Sequence, residues 1–434
     1  MCSIAIGPAI YWLTSRLAVY IWKTKIRAWG SRWLCREMAG FEKSRHVPLR
    51  PLVWDPSEAA NAIQEIVGDA LDHFDRESFW PAHPLEDGIP DGNTSLYCGA
   101  TGMIWALHYL AQVGATKTGY DFRPILPRLM EANRAEFAQQ AYSNQGSLLF
   151  GDLGTALVAA RVDPSLAVTD AIYTRASANT ALPIRELMWG MPGSMLACIF
   201  MSEMTNEPRW RELYETQAAR LFDQLEETDN GPLWTQDLYG SHHRWLGPVH
   251  GYAGNMIPLI RGWNWLTDKQ RARVADAIPR TLSNNAWRGG LGSTWHAMAG
   301  SSSPPDLCQH CHGAPGMVTT FADAPFSVPL LETLLLEGGL FTWQAGPLAK
   351  GSNLCHGTGG NGYAFLKLYR RTKDEGWLQR AREFAMTAIA QCREARSHYS
   401  KGRYSLWTGD VGLAIYLHDC LTEEPRFPTV DVFT

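Results

Sequence analysis

Seven times along the chain, a pair of glycines three residues apart opens an apolar, helix-forming run. The pairs are Gly99/Gly102 (LYCGATGMIWALHYL), Gly151/Gly154 (LLFGDLGTALVAARV), Gly190/Gly193 (LMWGMPGSMLACIFM), Gly251/Gly254 (PVHGYAGNMIPLIRG), Gly313/Gly316 (HCHGAPGMVTTFADA), Gly357/Gly360 (LCHGTGGNGYAFLKL) and Gly409/Gly412 (LWTGDVGLAIYLHDC). Successive pairs start 39 to 62 residues apart. One pair means little, because glycine is common; seven, each heading an apolar run, define a repeat. Between them lie amphipathic stretches such as residues 377–392 (WLQRAREFAMTAIAQC), charged on one face and apolar on the other. No convincing strand pattern intervenes. Each unit therefore reads as an apolar inner helix followed by an amphipathic outer one. A helix that is apolar all round needs cover on every side, and a single hairpin cannot bury its own face. Closing about seven hairpins into a ring meets both demands. The expected fold is all-α: an α/α toroid, a barrel of inner helices inside a barrel of outer ones. The glycines would stand at the inner helices' N-termini, at one end of the ring. There they would allow tight turns and leave backbone N–H groups facing a central cavity.

Composition agrees with this and removes other classes. A length of 434 residues with 45% hydrophobic and 19% charged side chains supports a large core. A net charge of -4 argues against a nucleic-acid partner, which needs a basic face to displace counterions. Length alone suggests several domains of roughly 100–200 residues, but the continuous repeat overrides that prior. The toroid is expected over residues 55–434, beginning with the amphipathic run PSEAANAIQEIVGDALDHF. Residues 1–54 form a separate basic and apolar extension. Its apolar run at 4–22 is broken by Gly7, Pro8 and Arg16 and has no secretory-signal layout. Lys23, Lys25, Arg27, Arg32 and Arg36 then alternate with Trp22, Ile26, Trp29, Trp33 and Leu34. That pattern suits a helix lying on an anionic membrane, so membrane contact through residues 1–50 is one expectation. A helix packed on the domain and an extension from a misassigned start codon are the others. The nine cysteines are scattered and odd in number, unlike a disulfide scaffold, which points to reduced thiols in the cytoplasm. Eighteen tryptophans hint at an aromatic-lined cavity.

Three glycine pairs follow unusual residues: Val249-His250, Cys311-His312 and Cys355-His356. In a ring these lead-in positions converge on one mouth. Cys311, Cys355 and His356 then form a candidate zinc triad, soft sulfur ligands favouring zinc over magnesium or calcium. Three protein ligands with one position open is the catalytic pattern, and a closed set of four is structural. Cys308 would supply that fourth ligand. The run Cys308-Gln309-His310-Cys311-His312 also matches a c-type haem attachment pattern, and ordinary reduced core cysteines are the plainest alternative.

These motifs resemble the lanthionine synthetase C-like family, the LanC and LanC-like proteins, over about residues 60–430. The most specific parts are CHGAPG at 311–316, CHGTGGNGYAFLKLY at 355–369 and HGYAGN at 250–255. The resemblance implies an α/α toroid with one zinc per chain, on Cys311, Cys355 and His356. It implies addition of a thiol to dehydroalanine or dehydrobutyrine, the thiol being a cysteine of the same peptide in the bacteriocin cyclases and glutathione in the stand-alone branch. It places a catalytic histidine at His250 and an orienting carboxylate at Glu186. Leu307 and His310 stand where cyclases carry arginine and tryptophan, and His312 replaces an aromatic of some cyclases, which moves the reading towards the stand-alone branch. His310, His312 and Cys308 remain candidates for supporting or substrate contacts, and Arg185 and Arg244 for binding a carboxylate of glutathione or a peptide. The expected partners are a dehydrated peptide or protein and a thiol. A zinc-containing binding protein without turnover and a carbohydrate- or terpenoid-active toroid are the competing classes.

Overall fold

A computed structural model describes residues 40–433, except 87–92, 118, 139–145, 239 and 291. The described chain contains fourteen α-helices: α1 (Pro56–Asp72), α2 (Ala100–Gln112), α3 (Leu126–Ala138), α4 (Asp152–Val162), α5 (Thr169–Ala178), α6 (Met191–Thr205), α7 (Pro208–Asp223), α8 (Tyr252–Arg261), α9 (Asp268–Asn285), α10 (Ala314–Phe321), α11 (Pro329–Ala345), α12 (Thr358–Thr372), α13 (Glu375–Tyr399) and α14 (Asp410–Thr422). The even-numbered helices are the runs that the glycine pairs open. Each packs on the next around a circle, and α14 packs back on α2. The inner barrel is therefore closed, and the fold is the expected α/α toroid. Burial follows the same division. Every residue of 191–201 in α6 is buried, whereas outer helix α9 buries only Val274, Ala277, Ile278, Thr281 and Leu282.

The order of units differs from the expected one at a single point. Among the described residues no outer helix follows α14; its outer partner is α1, the first helix of the domain. The seventh hairpin is thus made from both ends of the toroid, which locks the ring shut.

Outer and inner helices begin differently. Asp55 caps α1 by accepting the N–H groups of Ser57 and Glu58 at 2.8 and 3.3 Å, and Thr267 with Gln270 forms a capping box on α9. Inner helices start on glycine, which has no side chain to cap with. The lead-in loop does that work. Carbonyls of Asn93 and Thr94 accept from Ala100 and Thr101, those of Trp245 and Leu246 from Tyr252 and Ala253, and those of Gly351 and Ser352 from Thr358 and Gly359. In these three repeats the first-turn N–H groups are consumed by the loop and do not face a central cavity, contrary to the sequence-based expectation. The second glycine makes this tuck possible. In all seven repeats, a Cβ there would lie within 2.5 Å of the carbonyl oxygen six residues earlier.

The two longest spacers hold three short antiparallel hairpins that periodicity did not reveal: β1 (Glu226–Thr228) with β2 (Gly231–Leu233), β3 (Gln236–Leu238) with β4 (Ser241–His243), and β5 (Ala286–Gly289) with β6 (Gly292–Trp295). Strands of three or four residues are too short to show alternation. Gly231, at φ +91°, sits directly after the Asp229-Asn230 turn.

Within the expected N-terminal extension, residues 40–54 are described. Phe41 meets Phe341 edge-on at 5.9 Å, and His46 forms an isolated bridge with Leu348. The basic amphipathic stretch at 22–36 lies outside the described residues, as do Cys2 and Cys35. Among the described residues no helix is long and apolar enough to cross a membrane. The seven described cysteines are all unpaired and buried.

Candidate metal centre

The residue two before each opening glycine occupies one equivalent place in every repeat: Tyr97, Leu149, Met188, Val249, Cys311, Cys355 and Trp407. Around part of the ring, backbone hydrogen bonds join these places directly. Cys311 N–H donates to the Cys355 carbonyl at 3.1 Å, Cys355 to Trp407 at 2.8 Å, Trp407 to Tyr97 at 2.9 Å and Tyr97 to Leu149 at 2.8 Å. The packing of adjacent repeats therefore sets Cys311 beside Cys355. The ligand atoms of Cys311, Cys355 and His356 all lie within 4.8 Å of one another.

The surroundings suit a cation. Tyr97 donates its hydroxyl to Cys355 Sγ at 2.6 Å, and Gln309 donates Nε2 to Cys311 Sγ at 2.9 Å. Burial holds the Tyr97 phenol well above its usual range, which keeps it a donor. Hydrogen bonding from Cys355 pulls the Cys311 thiol well below its ordinary value, against the cost of burial. Its partnership with Cys311 pushes Cys355 up in turn. Two buried sulfurs this close cannot both carry charge unless a cation joins them. His356 is fixed by its N–H to Asn353 Oδ1 at 3.0 Å, and its Nε2 is buried with no hydrogen-bond partner. Two thiols and an imidazole with an unsatisfied nitrogen fit zinc in type and number.

Cys308 stands apart from this trio. Its thiol is buried against Thr342, its carbonyl accepts Asn361 Nδ2 at 3.0 Å, and burial pushes its pKa far up. Among the described residues no fourth cysteine joins the three, which argues against a closed four-ligand site with Cys308. His310 is buried, stacked face to face on Phe427 at 4.4 Å, and pushed by burial to a pKa of about 4. Its ring also meets Trp407 edge-on at 6.0 Å. His312 lies against Trp245, ring centres 5.8 Å apart, with a buried Nδ1 that has no partner.

A second group adjoins the first. His250 Nδ1 lies 2.8 Å from Glu186 Oε2. Glu186 is fully buried and also accepts the N–H groups of Met188 and Trp189 at 3.1 and 2.6 Å. A carboxylate can only accept, so the half-buried His250 carries its proton on Nδ1 when neutral. The loop before His250 touches the cysteine loop: a Cβ on Gly247 would strike the Cys311 carbonyl. Arg185 and Arg244 converge on one carboxylate, Glu226, at 4.0 and 2.8 Å, and both also bond Thr235.

Stacked aromatics join the two groups along the other arc. Trp407 stacks on Tyr97 at 5.3 Å, Tyr97 on Phe150 at 5.3 Å and Phe150 on Trp189 at 4.9 Å. Tyr97, Gln309 and Asn353 were not singled out from the sequence. Aligning the repeats would have found Tyr97, which holds the place that Cys311 and Cys355 hold in theirs. Gln309 and Asn353 carry no such signal.

The family model for lanthionine synthetase C-like proteins matches residues 62–432. A zebrafish (Danio rerio) protein named glutathione S-transferase LANCL1 is 28% identical over 262 residues, which cover 57% of this chain and 62% of that protein. The LanC-like protein GCL1 of Arabidopsis thaliana is 30% identical over 207 residues, 45% of each chain. The chain thus spans less than two thirds of the length of both relatives. Among solved structures, nisin cyclase shares the fold, with a TM-score of 0.52 at 13% identity over 83% of this chain and 98% of that one. A match running from α1 to the end of the toroid, through the very motifs that bring the two sulfurs and the imidazole together, makes this chain a member of the lanthionine synthetase C-like family.

Proposed function

We propose that the chain is a zinc-dependent, thioether-forming enzyme. Its substrates would be glutathione and a dehydroalanine or dehydrobutyrine residue in a peptide or protein. The observation that carries the reading is the convergence of Cys311, Cys355 and His356, ligand atoms within 4.8 Å, beside the Glu186–His250 pair. The glutathione choice leans on the name of the zebrafish relative.

Zinc, when bound by the three side chains, lowers the pKa of a thiol that joins it, so that thiolate exists near neutral pH. The hydrogen bonds from Tyr97 and Gln309 steady the two cysteine sulfurs. In the reaction the thiol sulfur bonds to the β-carbon, and the π electrons move towards the α-carbon and the neighbouring carbonyl oxygen. A proton delivered to the α-carbon completes addition of S–H across the double bond, with no change of oxidation state. His250 is the proton donor in this scheme, and the buried Glu186 carboxylate orients its ring and stabilises the imidazolium.

The test uses the zinc-loaded protein with glutathione and a dehydroalanine peptide, read by mass spectrometry. A product heavier by one glutathione, absent with His250→Ala and with Cys355→Ala, is the expected result. A second peptide carrying its own cysteine separates the two thiols, since ring closure removes a free thiol without changing mass. Bound zinc with neither adduct nor ring would overturn the enzyme reading in favour of a binding protein.

A further inference from the structure

After α14 the chain turns back into the ring instead of running over the surface. Phe433 lies against Trp105 of α2 and Phe200 of α6, and the Trp105 indole donates to its carbonyl at 3.0 Å. Asp431 pairs with Lys367 of α12, a lysine with no exposed surface that also bonds Asp323 at 2.5 Å. Thr429 accepts the Trp407 indole N–H at 3.1 Å, and Asp431 accepts the Phe427 N–H at 2.8 Å. This short strap thus touches inner helices on different sides of the barrel and fills the space between them.

Its upper end reaches the metal loop. Phe427 stacks on His310 at 4.4 Å with the rings 11° from parallel, and it also packs on Trp407 at 5.1 Å and Tyr363 at 4.9 Å. His310 is the residue directly before Cys311, and Trp407 supplies the carbonyl that holds the Cys355 N–H. One ring therefore supports the backbone on both sides of the sulfur pair. The opening residue of that loop's helix, Gly313, has φ +119°, alone among the seven opening glycines in the left-handed range. A loop of that shape depends on what packs beneath it. The ion pair at Asp431 anchors the strap from below.

We infer that the C-terminal strap is a positioning element of the metal centre, with Phe427 setting the place of Cys311 through His310. The inference rests on zinc binding by Cys311, Cys355 and His356, and not on the thioether reaction. The test compares the full chain with Phe427→Ala, Phe427→Leu and Phe427→Tyr, the last keeping the ring beside a cavity of about 20 Å³ with room for one water. Zinc affinity is measured by chelator competition, and cobalt(II) substitution gives the thiolate charge-transfer band. Phe384→Leu, in the aromatic packing around α13, serves as a control for destabilisation alone.

Loss of the ring should weaken zinc affinity by about tenfold or more and shift or bleach the cobalt band. Phe427→Tyr should restore both, and Phe384→Leu should leave both unchanged at a lowered Tm. Folded Phe427→Leu protein with wild-type affinity and spectrum overturns the inference, as does wild-type protein that takes up neither metal. Should Phe427→Ala fail to fold, Phe427→Leu decides. Absence of thioether product with metal binding intact would sink the proposed activity and leave this inference standing.

Discussion

Cys311 and Cys355 are 44 residues apart in sequence, yet the backbone N–H of the first donates to the carbonyl of the second at 3.1 Å. They hold the same position in adjacent repeats, and along this part of the ring neighbouring repeats are bonded backbone to backbone at that position. The sulfur pair is thus a by-product of repeat geometry once cysteine stands at both places. Its consequence is a buried pair of sulfurs whose joint ionisation a cation would favour.

Removing one sulfur should remove the metal. Cys355→Ala is expected to lower zinc affinity at least about a hundredfold, more than loss of a supporting group costs. Metal content after desalting, measured by elemental analysis, checks this. Chelation of the wild-type protein should leave Cys311, whose thiol is pulled well below its ordinary value, the first of the cysteines to be alkylated, while Cys308, buried against Thr342, stays unreactive.

Glu186→Gln separates orientation from metal binding. The amide keeps the shape but not the negative charge that steadies a protonated His250. The proposed addition should slow by about 10²- to 10⁴-fold with zinc content unchanged. Rate and metal stoichiometry on the same preparation decide it; a rate within twofold of wild type would remove Glu186 from the mechanism.

Two glycines should respond oppositely to alanine. At Gly360 a Cβ would collide with the Leu354 carbonyl, one residue from Cys355, so Gly360→Ala should cost about 2–4 kcal/mol and loosen the metal loop. At Gly68 on outer helix α1 nothing lies within 4 Å, and Gly68→Ala should stabilise by roughly 0.5–1 kcal/mol. Denaturant midpoints of the two variants test the pair.

Burial raises the Asp419 carboxyl to a pKa of about 8, although Tyr363 and the Arg426 N–H donate to one of its oxygens at 2.9 and 2.8 Å. Its ordinary value is 3.8. Between these limits the folded chain keeps a proton that the unfolded chain gives up, so stability falls as pH rises through the window, by up to roughly 1.4 kcal/mol per pH unit. Asp419→Asn mimics the protonated form. It should flatten that slope and raise Tm more at pH 8 than at pH 5, as calorimetry at several pH values would show.

Much of this was local and therefore readable in the chain. Helical period, apolar runs and the recurring glycine pair are short-range signals, and together they imply seven hairpins that cannot be buried except by closing on one another. The candidate ligands were equally plain, since Cys311, Cys355 and His356 sit in register with the repeat. What folding alone decided was which way side chains turn and what meets across the ring. Cys308 is three residues from Cys311 yet faces Thr342, and His310 adjoins it yet stacks on Phe427. Glu186 meets His250 over 64 residues, and Tyr97 reaches Cys355 over 258. In three repeats the lead-in loops take up helix N–H groups expected to face a cavity, and the C-terminal strap packs inside the barrel. Periodicity records which face of a helix is apolar. It holds no record of loop direction, nor of partners joined only after the ring closes, because those depend on contacts whose two halves lie far apart in the sequence.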